Sequence, residues 1–101
     1  MTKFVLIINP FAEEDLVESK DWYEEKQEGL GVDFIYEVRS TIKRIEENPY
    51  QFPIIRKKIR GALTNRFPFV LFFYVNELII NVFAVFHTSR NPKSWSKRIS
   101  K

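Results

Sequence analysis

The stretch FVLFFYVNELIINVFAVFH, residues 69–87, decides the fold. Its two halves, "FVLFFYV" and "LIINVFAVFH", are rich in Val, Ile and Phe, which suit a pleated strand, and the pair Asn76-Glu77 between them marks a tight reversal. This predicts a hairpin of two long strands. The first is apolar on both faces, because Phe69, Leu71, Phe73 and Val75 alternate with Val70, Phe72 and Tyr74. Helices layered on a sheet cover only one such face, so the other calls for a binding partner or for the tail that carries Trp95. By strict alternation His87 shares a face with Asn81, Phe83 and Val85 at the strand end. A neutral imidazole there can act as general base or acid; an edge histidine bonded to backbone is the competing reading.

Upstream, "KFVLII" reads as a first strand that ends at Asn9-Pro10. Asn9 can cap a helix with Pro10 at its first position, and Glu13, Glu14 and Asp15 then lie where the helix dipole favours negative charge. This helix should run from about Pro10 to about Gln27, with Ala12, Leu16 and Tyr23 on one face, Ser19 between them and Trp22 beside them. "EGLG" interrupts it. A second helix follows, because Leu30, Phe34, Val38, Ile42 and Ile45 recur at three- and four-residue spacing and Ile35 widens the stripe. "ENPYQFP" stops it, since Pro49 and Pro53 each disfavour a helical residue before them. "IIRKKIR" and "ALTNRF" then read as one or two strands bent at Gly61. The expected class is α+β, in the order β-α-α-β-β-β, with two antiparallel N-terminal helices packed on a mainly antiparallel sheet. Residues 1–101 form a single domain on this reading.

Composition narrows the function. Hydrophobic residues make up 45% and aromatics 16%, with ten Phe, enough to order a small core without cross-links. Cysteine is absent, which removes disulfides, thiolate zinc sites and cysteine nucleophiles and suits a cytoplasmic protein. The apolar run between Lys3 and Asn9 is only five residues, too short for a signal-peptide core or a membrane span, so no membrane association is expected. Charge is segregated: residues 1–53 hold six Lys/Arg against twelve Asp/Glu, whereas residues 54–101 hold ten against Glu77 alone. A cationic half steers and holds an anionic partner, either nucleic acid or an acidic protein segment. Arg60, Arg66, Arg90 and Arg98, with Lys57, Lys58, Lys93 and Lys97, can make a phosphate-binding surface, and Trp95 or Tyr74 can stack on bases. A solvated basic face is the plainer alternative.

No metal-ligand cluster, nucleophile elbow or phosphate-cradling glycine loop is present, so neither metal nor cofactor is implied. Metal-free RNA cleavage stays chemically open, because a 2′-hydroxyl attacks its neighbouring phosphate when a base, an acid and a cation surround it. His87, Lys58, Arg66 and Tyr74 are the candidates for such catalytic roles.

Five stretches together, "DWYEEKQEGLG", "IEENPYQFP", "NRFPFVLFFYV", "VFAVFHTSRNPKSWSKR" and the opening strand, make the chain resemble a small toxin of the RelE/ParE superfamily, the toxic half of a type II toxin–antitoxin pair. An arginine before Phe-Pro, a tyrosine late in the next strand and the closing His-x-x-Arg-x-Pro-x-x-Trp-x-x-Arg carry the resemblance. It implies a plasmid-stabilisation type of growth inhibitor, neutralised by a cognate antitoxin in a hetero-oligomer. Two targets follow from it: DNA gyrase for ParE-like members, or the ribosome with mRNA for RelE-like endonucleases. The nuclease branch places a tyrosine or a His-Tyr pair close after the last strand, whereas here Thr88 and Ser89 follow His87 with no later tyrosine. The tail through Trp95 and Arg98 resembles the ParE-like side, so gyrase inhibition is favoured, with the mRNA endonuclease and a non-toxic binding relative as alternatives. On the ParE-like reading Lys57, Arg60, Arg90, Trp95, Lys97 and Arg98 are expected to bind target or antitoxin.

Overall fold

The computed structural model describes residues 3–91 together with Ser94 and Arg98. Trp95, Lys93 and Lys97, and with them the expected tryptophan anchor, lie outside the described residues. The chain forms β1 (Val5–Ile8), α1 (Pro10–Lys26), α2 (Leu30–Glu47), a single 3-10 turn (Pro49–Gln51), β2 (Ile54–Arg56), β3 (Ile59–Leu63), β4 (Phe69–Asn76) and β5 (Ile79–His87). Two helices thus precede all but one strand of an α+β structure, as the pattern predicted. The break in the "IIRKKIRGAL" region falls at Lys57, whose φ of 54° turns the chain, and not at Gly61, which lies inside β3.

Local chemistry explains the helices. Asn9 caps α1 by accepting the Ala12 N–H through Oδ1 at 3.1 Å, and Pro10 opens the first turn. Gly29, with φ of 87°, supplies the left-handed conformation for the short link into α2. There the Glu24 carboxylate reaches across from α1 and accepts the N–H groups of both Gly29 and Gly31, each at 2.9 Å. These bonds hold its carboxyl below the ordinary 4.5, the Gly29 bond most of all and the Gly31 bond next. Gly31 also sets how closely the helices approach, since a Cβ there would lie 2.7 Å from the Lys20 carbonyl oxygen.

The strands form one sheet in the order β1-β5-β4-β3-β2, with β1 parallel to β5 and every other pair antiparallel. The helices cover one face. Phe34, Val38 and Ile45 of α2 and Ala12 of α1 bury against Leu71, Phe73, Ile80, Val82 and Val85. Phe34 stacks edge-on to Phe67 and Phe69, with Tyr23 beside all three, and burial pushes the Tyr23 hydroxyl above its ordinary pKa.

The opposite face is also closed at its centre. Ile59, Phe72, Phe83, Ala84 and Phe86 form a second buried cluster, with Val70 and Tyr74 against it. This depends on an irregularity in β5: Phe72 pairs with Ala84 and Phe73 with Val82, so Phe83 is one residue too many. The bulge shifts the phase of the strand. Asn81 pairs with Tyr74 on the second face, Phe83 and Ala84 join the second cluster, and Val85 returns to the helix side. His87, paired with Phe69 and packed edge-on to its ring at 5.4 Å, is therefore on the helix side with Val85, not with Asn81 and Phe83 as strict alternation predicted.

Candidate functional site

The basic half gathers around two opposite ends of the sheet. At one end β5 runs out through His87 next to the β3–β4 connection. That connection is pinned by the buried Thr64 hydroxyl, which donates to the Phe67 carbonyl, and by the Asn65 N–H, which donates to Glu37 Oε2 at 2.7 Å. A groove of about 570 Å³ opens here, floored by Ile55, Val70, Phe72 and Phe86 and rimmed by Arg44, Asn65, His87 and Arg90. Among the described residues no acidic side chain lines it.

The rim cations are held in place by aromatic rings. The Arg90 guanidinium lies 3.9 Å from the centroid of Phe86, and that of Arg44 lies 5.5 Å from Phe52 while its Nη2 donates to the Leu63 carbonyl at 3.2 Å. A stacked guanidinium keeps its in-plane donors aimed outward, which suits planar anions such as carboxylate or phosphate. His87 accepts the Ser89 N–H at Nδ1 (3.0 Å), with Ser89 Oγ at 2.8 Å. The proton of the neutral ring therefore sits on Nε2.

The proposed catalytic set is divided. His87 sits opposite Phe69, whereas Tyr74 sits opposite Asn81, five residues further along β4 and on the other face. Five residues of strand span about 17 Å. Lys58 ends the β2–β3 turn, at the Tyr74 end, since its neighbour-but-one Arg60 pairs with Phe73. Arg66 is at the His87 end, but turns to the helix layer, where it meets Asp33 at 3.4 Å and stands over Phe67. No three of the four converge on one point.

The proposed binding set is also spread. Lys57 is exposed in the β2–β3 turn beside Arg56 and Lys58. Arg60 is half-buried and turned back on the chain: its Nη1 donates to the Phe52 carbonyl at 2.6 Å and to that of Tyr50 at 3.4 Å, tying the 3-10 turn to β3. Arg98 is inward as well, paired with Asp15 at 2.6 Å and lying 5.0 Å from the Phe86 ring on which Arg90 also stacks. Of the described members, Arg90 alone lines the groove.

Two residues escaped the sequence reading. Asp15 passed as an acid of the first helical turns, yet it lies on the stripe of Ala12, Leu16 and Ser19 and is buried to 6% exposure. Its position in that stripe was the available signal. Arg44 is not among the candidates that the sequence suggests, and nothing in the local pattern marks it as a groove residue.

The chain matches no family model and no curated protein. Its fold, however, recurs in a solved chain described as "Chromosomal ParDE TA system from P. aeruginosa". The two superpose with a TM-score of 0.77 at 18% identity, over 86% of this chain and 98% of that one. At that identity the likeness is one of fold.

Among the described residues no group of His, Asp and Glu could hold a metal ion, and no helix is long and apolar enough to cross a membrane. What the groove can do chemically is bind: an apolar floor, guanidinium rims and an acid-free lining suit an anion with apolar flanks.

Proposed function

We propose that the protein is the toxin of a type II toxin–antitoxin pair, acting in the cytoplasm on DNA gyrase and neutralised by a cognate antitoxin that binds it in a hetero-oligomer. The observation that carries this reading is the fold shared with the ParDE chain over 98% of that chain's length, together with the Arg-Phe-Pro and His-to-Arg signature of the C-terminal half. The separation of His87 from Tyr74 by about 17 Å, on opposite sheet faces, favours a binding inhibitor over an endonuclease. Arg90, stacked and without a carboxylate beside it in the groove lining, is the residue best placed to contact target or antitoxin.

Induced expression tests the reading. Growth should stop, an SOS reporter should respond, and the purified protein should inhibit supercoiling by gyrase, while mRNA 5′ ends in a cell-free translation reaction stay unchanged. Arg90→Ala should weaken each effect in a folded protein. Ribosome-dependent mRNA cuts would sink the gyrase target; unimpaired growth at high expression would sink the toxin.

A further inference from the structure

Among the described residues, only half of β5 has a strand on its outer edge. β1 pairs with it from Ile79 to Val82, and the last backbone bond there runs from the Asn9 N–H to the Val82 carbonyl at 3.0 Å. Past that point two side chains take over. Arg98 Nη1 donates to the Phe83 carbonyl at 3.1 Å, and Asp15 Oδ2 accepts the Val85 N–H at 2.9 Å. The two are themselves joined by a fork, Nη1 to Oδ2 at 2.6 Å and Nη2 to Oδ1 at 3.0 Å. The guanidinium and carboxylate together supply the donor and the acceptor that a neighbouring strand would supply to Phe83 and Val85.

The far edge of the sheet is guarded differently. β2 is short and irregular in register, and leads into the exposed cations Arg56, Lys57 and Lys58, the usual means of making an edge unattractive to other chains. On β5 that protection depends on a residue 83 positions away in sequence from its partner.

We propose that Asp15 and Arg98 form a clasp over a strand-docking edge, and that once Arg98 lifts away the edge accepts an extended polypeptide segment bearing its own guanidinium or ammonium group. The chemistry of the occupant follows from what Arg98 leaves behind. Asp15 is 6% exposed and Arg98 14%, so an Asp15 carboxylate without its cation would be a buried unpaired charge. An acidic segment would face that carboxylate and be repelled; a neutral one would leave it unpaired. A basic one restores the fork while its backbone meets Phe83 and Val85, which is strand addition with a charge requirement. This goes beyond the toxin reading and does not depend on it.

Amide hydrogen exchange at Val85 tests the clasp in the full-length chain. Arg98→Ala should accelerate exchange at Val85 by about 10-fold or more while amides between β4 and β5 stay protected. The octapeptide SWSKRISK, the sequence of residues 94–101, added to the Arg98→Ala protein should restore protection, and the same peptide with its arginine changed to alanine should not. Unchanged Val85 exchange in a folded Arg98→Ala protein overturns the clasp. Equal effects of the two peptides, or none from either, overturn the docking edge. Should Arg98→Ala fail to fold, Arg98→Lys carries the same test, because lysine keeps the charge and loses the fork; it should give an intermediate exchange rate that the arginine peptide lowers.

Discussion

Glu24 shows how an exposed carboxylate can be structural. Its two oxygens accept the N–H groups of Gly29 and Gly31, donors at the start of α2 that have no helical partner of their own. The folded pKa lies below the ordinary 4.5, so the ionised form favours the fold. That contribution is fully present above the unfolded pKa and disappears as pH falls through the depressed folded value. Glu24→Gln should therefore lower the thermal midpoint most above about pH 5 and converge with wild type in stronger acid. Midpoints measured across that range give the check, and a gap that does not change with pH would contradict it. The same residue illustrates a limit of reading by type. As one of many acids in an acidic helix, Glu24 looks like solvated surface, and only the left-handed Gly29 and the tight approach at Gly31 reveal which acid does the capping.

At the scale of elements, the second face of the β4–β5 hairpin is the informative case. Phe83 is 1% exposed and Phe34, on the helix-covered side, is 0% exposed. Replacing either with alanine should cost about 3–5 kcal/mol in the isolated chain, read from denaturant midpoints. A much smaller loss for Phe83→Ala would mean that this face is ordered only when a partner covers it. The two helices and the hairpin were legible because their periods are strong: the stripe from Leu30 to Ile45 is helical at any register, and Asn9-Pro10 announces a cap. The site was less legible for a physical reason. A side chain's face in a strand follows from parity, and one extra residue, Phe83, reverses parity for everything after it, His87 included. The inward Arg60 and Arg98 were equally hidden, because their partners, the Phe52 carbonyl and Asp15, are set by tertiary contact and not by spacing.

Across the whole molecule, the charge segregation of the sequence becomes a segregation by layer. The acids concentrate on the helices, where Lys20, Lys26, Arg39, Lys43 and Arg44 only partly offset them, whereas the described strands and turns from Ile54 on carry cations against Glu77 alone, most openly at Arg56, Lys57 and Lys58. Cations clustered without neighbouring acids act together on a polyanion, and their effect falls with salt. Charge reversal of Lys57 and Lys58 to glutamate should release the protein from a heparin column at clearly lower salt, whereas the same reversal at Lys20 and Lys26 of α1 should change elution much less. Equal shifts from the two double variants would show that net charge, not its placement, governs the interaction.

The order of the strands has a consequence in time. Among the described residues β1 has β5 as its sole neighbour in the sheet, so a strand made before the helices waits for one made well after them. The helical hairpin that follows β1 is built from local contacts and can form early on a nascent chain. The sheet cannot close on β1 until residues 79–82 have been made, and the edge beyond them waits longer still, for Arg98. A ribosome making this chain therefore carries an incomplete sheet until residues 79–82 have emerged, and a product truncated before β5 leaves β1 without that strand to join.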